Sequence, residues 1–182
     1  SGTRRAYSVA YSDGASHLFV IKRLENGKGW SKEICDLPVG AEVEIMKPMG
    51  HFVLRDFQTP KMFIGTGTGF APLYFQIRKA LENWIKDKIL FLFWVRTVSD
   101  VFYLDILEGL KKNYVNFDFS IYLSREKNSA FQSGYVTDYL DPGGIANYKE
   151  FYICGSPALV GDARTKLQNL GVASESIFFE QY

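Results

Sequence analysis

Residues 62–75 read "MFIGTGTGFAPLYF", an apolar run, three glycines at alternate positions, and the start of a helical pattern. The helix is carried by Leu73, Ile77, Leu81 and Trp84, which recur every three or four residues from about Ala71 to Trp84, with Pro72 in the first turn. A strand that passes through glycines into a helix is the opening unit of a parallel α/β sheet. The turn Gly65, Thr66, Gly67, Thr68, Gly69 then has two readings. Backbone N–H groups and the helix dipole both favour an anion there, so it reads as a phosphate cradle; it also reads as a tight turn and nothing more. The spacing is G-x-G-x-G, with Phe70 where the dinucleotide fingerprint has glycine, and Arg96 stands near the end of the next strand in place of an acidic residue.

Working toward the C-terminus, "ILFLFWV" is a continuous apolar run of the kind a strand buried on both faces requires. A second helix is marked by Phe102, Ile106 and Leu110, and a third strand by "FDFSIYL". After "GYVTDYL" and a "DPGG" turn, "FYIC" leads into a helix with Val160, Ala163 and Leu167, and "SIFFEQY" closes the chain. This alternation predicts a five-stranded parallel sheet with helices on both faces over residues 59–182.

Upstream, the pattern is short strands and turns: "RAYSVAY", "HLFVIKR" and "EVEIMK", which is antiparallel β character. Within "GKGWSKEICDL", Ser31 is placed to cap a short helix carrying Ile34 and Leu37. Three strands and a short helix do not close a barrel, so residues 1–58 read as an incomplete one with exposed edges. The change of pattern sets the boundary near "RDFQTP", residues 55–60.

Composition narrows the function. Of 182 residues, 47% are hydrophobic, enough for a packed core, and 21 basic against 20 acidic residues give a net charge of +1. No whole-molecule field recruits nucleic acid or an anionic membrane. No apolar run reaches the roughly 18 residues of a membrane span and the first residues carry no signal-peptide pattern, so the expected location is the cytoplasm. Cys35 and Cys154 stand far apart with no metal-ligand spacing, which argues against a disulfide scaffold, a zinc site or an iron–sulfur cluster. Redox chemistry on this chain calls for an organic cofactor.

Two further stretches fall where ligands of open α/β sheets bind, beyond the carboxyl ends of strands, and a third lies upstream. In "YICGSPALVG", Cys154 ends a strand and Gly155, Ser156 and Pro157 turn the chain into a helix; a lone cysteine there also reads as a small core residue. In "YLSRE", Ser124 and Arg125 follow the third strand; the arginine fork suits phosphate, and the same residue reads equally as solvated surface. In "RRAYS", Arg5 and Tyr7 read alone as a surface charge and strand packing.

In this order, Arg5-Ala6-Tyr7-Ser8, "GKGWSKEICDLPVGAEVEI", "KPMGHF", "GTGTGFAP", "SRE", "CGSP" and the terminal Glu180-Gln181-Tyr182, the chain resembles the ferredoxin-NADP reductase family of flavin oxidoreductases. The resemblance implies a flavin-binding barrel, an NAD(P)-binding domain, and FAD, in preference to FMN, between them. By position, Arg5 would hold a flavin phosphate, Tyr7 would lie on the isoalloxazine ring and Ser8 would point toward N5. Ile21, Lys22, Gly29, Trp30 and Ser31 would border the flavin, the last three at a helix start near its phosphates. Gly65 to Gly69 with Ala71 and Pro72 would receive the NAD(P)H pyrophosphate, Arg96, Ser124 and Arg125 the adenosine end, and Cys154 to Pro157 the nicotinamide. Glu180 would be a carboxylate near the flavin, Tyr182 a ring covering its other face, and Ser8, Cys154 and Glu180 the catalytic set. Hydride would pass from nicotinamide to flavin, and electrons to a separate acceptor such as ferredoxin, flavodoxin or an oxygenase.

The resemblance also implies further barrel strands, from preceding sequence or from a partner chain. Gly27 and Gly29 flank Lys28, which stands where the family has glycine, and Lys127 and Tyr135 follow Ser124-Arg125 at a spacing unlike the NADP-preferring pattern, leaving NADH and NADPH both open. Arg4, Arg5, Lys22, Arg23, Lys28 and Lys32 make a basic rim suited to an acidic carrier, or simply a solvated face. The alternative to the reductase is a flavin-free module that binds NAD(P)H and senses it within a complex.

Overall fold

The computed structural model describes residues 4–25, 29–55, 58–83 and 85–182. Two antiparallel strands, β1 (Val9–Ser12) and β2 (His17–Phe19), form a hairpin, followed by a short helix α1 (Trp30–Cys35). Asp13 closes the hairpin turn, its Oδ1 accepting from the backbone N–H of Ala15 at 3.0 Å and of Ser16 at 2.7 Å.

The remainder is one parallel sheet: β3 (Lys61–Thr66), β4 (Ile89–Val95), β5 (Phe117–Leu123), β6 (Gln132–Ser133), β7 (Glu150–Gly155) and β8 (Ile177–Gln181). Their spatial order is β6-β5-β4-β3-β7-β8. The sheet therefore has six strands, one more than the apolar runs indicate; β6 is two exposed residues paired to Tyr122 and Leu123, with no apolar run to betray it.

Helices α2 (Phe70–Glu82) and α3 (Leu104–Asn113) cover one face, and α4 (Pro142–Ile145) and α5 (Pro157–Asn169) the other. β4 shows why its seven residues are all apolar. Ile89, Phe91, Phe93 and Val95 join the core under α2 and α3, whereas Leu90, Leu92 and Trp94 join the core under α5.

The hairpin is seated on α2. Ala10 is fully buried in the same core as Leu73, Ile77 and Ala80, the Arg78 guanidinium lies 5.2 Å over the Tyr11 ring, and Gln76 Nε2 donates to the Phe52 carbonyl at 2.9 Å. A second tie is ionic. Lys61, 0% exposed at the start of β3, meets Glu150 Oε2 at 2.9 Å and donates to the Thr59 carbonyl and hydroxyl. The Tyr152 hydroxyl donates to the same carboxylate at 2.9 Å and accepts from the Arg55 N–H at 3.0 Å. Each charge removed from water is thus fully partnered, the condition under which a buried pair is tolerated.

Three expectations change. "EVEIMK" forms no strand: residues 41–50 carry no regular structure, and Val43, Ile45 and Met46 are exposed. A strand exists only as one side of a ladder, and among the described residues none pairs with this segment. Ser31 is not the cap of α1. Gly29, at φ 93°, holds that place, and the Ser31 hydroxyl accepts from the Leu24 N–H at 3.2 Å instead. Leu37 falls beyond the end of α1 and is exposed. Trp84, Gly27 and Lys28 lie outside the described residues.

Candidate functional site

The sheet reverses its winding between β3 and β7, so the carboxyl ends of these two neighbours face a crevice. From β3 the chain enters a 3-10 turn, Gly67–Gly69, and then α2. From β7 it passes Ser156, which caps α5 by accepting from the Leu159 N–H at 3.3 Å, with Pro157 in the first turn.

The two turns touch backbone to backbone. A Cβ on Gly69 would stand 2.2 Å from the Cys154 carbonyl oxygen, and one on Gly155 2.5 Å from Thr66 Cγ2. Gly67 differs: it needs glycine for its φ of 53°, and the space beside it is open. The N-terminus of α2 carries no side-chain cap, and Ala71 and Pro72 in its first turn are buried. A glycine turn open on one side at an uncapped helix start is suited to an anion.

Around this crevice the structure gathers residues from both ends of the chain. Cys154 sits between Gly65 on β3 and Glu180 on β8 in the strand register. Ser8 Oγ reaches Glu180 Oε2 at 3.4 Å, bringing together residues 172 positions apart. Tyr182 follows β8, its N–H donating to the Gly155 carbonyl at 3.4 Å. Tyr182 is 55% exposed.

Burial, and then the Glu180 carboxylate, push the Cys154 thiol up to about 12, so it stays protonated at neutral pH and is not a nucleophile. Burial likewise raises the Tyr182 phenol above its ordinary range. The cluster is therefore a set of neutral hydrogen-bonding groups around a single carboxylate.

A second group lies beyond β4 and β5. The Arg125 N–H donates to the Arg96 carbonyl at 2.9 Å and the Ser124 N–H to the Val95 carbonyl at 3.2 Å, so the three residues adjoin, with both arginines exposed. Beside them Tyr135, exposed, meets Trp94 edge-on at 5.1 Å between ring centres. Trp94 was not visible as a site residue, because inside "ILFLFWV" it reads as core alone. Arg5 is exposed and Tyr7 half-buried, on the approach to β1. Ile21 and Lys22 follow β2, while Gly29, Trp30 and Ser31 lie on or beside α1 with Ser31 hydrogen-bonded within its own segment. Arg23 of the basic rim is occupied by Asp36, at 2.8 and 3.0 Å, and by Glu25.

The model of the oxidoreductase NAD-binding domain matches residues 63–165, from β3 into α5. The chain belongs to this family, in its ferredoxin-NADP reductase-like branch. It is 27% identical over 185 residues to the toluate 1,2-dioxygenase electron transfer component of Pseudomonas putida, covering 100% of this chain and 55% of that protein. Among solved structures, an Amycolatopsis cytochrome P450 reductase matches with a TM-score of 0.86 and 27% identity, over 100% of this chain and 57% of the other. A Neisseria gonorrhoeae ferredoxin NADP+ reductase with bound FAD and NADP shares the fold, with a TM-score of 0.81 and 22% identity over 97% and 79% of the two chains.

The chain thus spans about half the length of the curated relatives it matches. Among the described residues, no group of three or more His, Cys, Asp or Glu is placed to hold a metal ion, and no helix is long and apolar enough to cross a membrane.

Proposed function

We propose that this chain is the NAD(P)H-binding part of a flavin-dependent reductase, with residues 1–58 serving the flavin, residues 59–182 the nucleotide, and electrons leaving to a separate acceptor. The observation that carries the reading is the meeting of Ser8, Cys154, Glu180 and Tyr182 beside a glycine turn that closes only without side chains. A dinucleotide fits the turn: Gly65 to Gly69 and the first turn of α2 take the pyrophosphate, Arg96, Ser124 and Arg125 the adenosine end, and Cys154 to Pro157 border the nicotinamide.

FAD fits the ground between Ser8 and Tyr182, with Arg5, Tyr7, Ile21, Lys22 and the start of α1 along its length. Once bound, the flavin supplies the acceptor for a hydride and the means of releasing electrons singly or in pairs. The chain's own part is placement and proton supply. Ser8 Oγ, paired to Glu180, holds a proton at the mouth of the crevice, and the neutral Cys154 thiol, fully buried behind it, adds no charge. The Tyr182 ring would shield bound flavin from water on one side. The acceptor is a carrier protein: ferredoxin or an oxygenase component, as the names of relatives suggest, or flavodoxin; an acidic one would face Arg4, Arg5, Lys22 and Lys32. The reading places the protein in the cytoplasm.

Adding FAD to the purified chain and then NADH or NADPH without oxygen tests this. Retention of the yellow flavin band and its bleaching by nucleotide are expected. Binding of nucleotide with no retention of flavin would favour a flavin-free module that senses NAD(P)H in a complex, a reading supported by the unpaired, exposed segment 41–50.

A further inference from the structure

Beyond the carboxyl ends of β4 and β5 the chain makes two adjacent loops, and hydrogen bonds cross between them in both senses. The Ser124 and Arg125 N–H groups donate to the Val95 and Arg96 carbonyls, which continues the ladder of the sheet. In the other direction the Val98 N–H donates to a side chain, Glu126 Oε2, at 2.9 Å. The β4 loop is otherwise closed on itself. Val98–Asp100 is a 3-10 turn, and the Asp100 carboxylate accepts from the Thr97 N–H at 3.1 Å and from its hydroxyl at 2.9 Å. The Val98 N–H, at the start of that turn, is a donor the turn itself cannot use, and Glu126 takes it. Glu126 is exposed, so it adds little to the core. As a ligand for an anion it is out of place, because its charge repels one. Its bond to Val98 gives it a different task.

We propose that Glu126 is a positioning residue for the nucleotide: by holding the Val98 N–H it keeps the bend that carries Arg96 against the loop that carries Ser124 and Arg125. The proposal rests on the reading above, in which these three residues receive the adenosine end. They come from two loops, so the site is complete only while the loops stay together. Without the Glu126 bond the bend must be ordered when the ligand arrives, and affinity falls by that amount. The charge of Glu126 opposes an anionic ligand while its hydrogen bond assists, and the two effects are separable by substitution.

The test is calorimetric titration of the whole chain with ADP and with NADH at one fixed salt concentration, in three variants. Glu126→Gln keeps the reach and the acceptor and loses the charge. Glu126→Ala loses both, and Glu126→Asp keeps the charge but is one methylene short of Val98. The alanine and aspartate variants should bind ADP and NADH about 2- to 10-fold more weakly, by the same factor for each, as loss of one hydrogen bond predicts. The glutamine variant should bind as tightly as the wild type or tighter. Amide hydrogen exchange over residues 97–100, read by mass spectrometry, should quicken in the alanine and aspartate variants and not in the glutamine one. Quickened exchange with unchanged ADP affinity would reduce Glu126 to a stabiliser of the turn and overturn the proposal. Equal tightening in the glutamine and alanine variants would also overturn it, by showing that only the charge matters. Failure of the wild-type chain to bind ADP would instead sink the nucleotide reading on which it stands.

Discussion

Replacing Gly69 with alanine adds one methyl group at the point where the two turns of the crevice meet, and its cost can be worked from contacts. At φ −57° and ψ −15° the backbone of Gly69 is helical, so alanine suits it and by conformation alone would gain about 0.5–1 kcal/mol. The added carbon, however, would stand 2.2 Å from the Cys154 carbonyl oxygen, 2.6 Å from its carbon and 3.0 Å from the Gly155 nitrogen. Ordinary contact is about 3.5 Å, so the turns must part by about 1 Å. Neither side yields easily, since all three atoms are backbone and Cys154 is held in β7 between β3 and β8. Overpacking of this kind costs about 1–3 kcal/mol. Urea unfolding should show a lower midpoint with an unchanged slope, and NADH titration a matching loss of affinity from the distorted turn.

Gly67→Ala is the comparator. It meets no atom within 4 Å, so its loss of about 1–2 kcal/mol comes only from the left-handed backbone. Asparagine should therefore recover much of that loss at position 67 and none at 69. A Gly69→Ala protein as stable as the wild type, with wild-type NADH affinity, would refute the contact between the turns.

Lys61→Met leaves the Glu150 carboxylate without its cation and should cost about 3–5 kcal/mol in chemical unfolding, much of it returned by adding Glu150→Gln. The Cys154 thiol, raised by burial from 9.0 to about 12, stabilises the fold below about 9 and loses that contribution as pH rises toward 12, because the unfolded thiol ionises first. Cys154→Ser should thus flatten the alkaline fall of stability, and iodoacetamide near neutral pH should label Cys35 alone, as read by mass spectrometry. Arg125→Ala should weaken NADPH by about 1.5–3 kcal/mol and NADH far less if its fork meets a 2′-phosphate. Equal losses in a binding titration would remove it as a selectivity residue.

The sheet was legible wherever burial on both faces forced a continuous apolar run. "ILFLFWV" and "FDFSIYL" have the bounds of β4 and β5 residue for residue. Where a strand depends on a partner, the sequence misleads: "EVEIMK" alternates as a strand should, but alternation reports a face to be covered and not the neighbour that covers it. The cap of α1 was misread for a related reason, since a glycine at φ 93° starts the helix by backbone freedom and leaves Ser31 for Leu24. Cys154 was readable from its place at the end of a strand, but Ser8, Glu180 and Tyr182 only as an ordered resemblance, because nothing local says that residues 8 and 180 meet. Lys61 was invisible as a buried ion, as its partner lies 89 positions downstream and only strand register brings them side by side.

The seating of the hairpin on α2 bears on how such proteins can be cut and rejoined. The change of sequence pattern near residue 58 invites recombination there, with a foreign nucleotide half grafted behind the hairpin. Yet Ala10 beds among Leu73, Ile77 and Ala80, Tyr11 lies under Arg78, and the Phe52 carbonyl is held by Gln76, all on the helix that the glycine turn begins. A graft at that junction exchanges the bed and keeps the rider, shifting Ser8 relative to Glu180 even when both residues are retained. A working chimaera would have to carry the hairpin-facing side of α2 across with residues 4–55, so the unit of inheritance is the hairpin with its helix rather than either half of the chain.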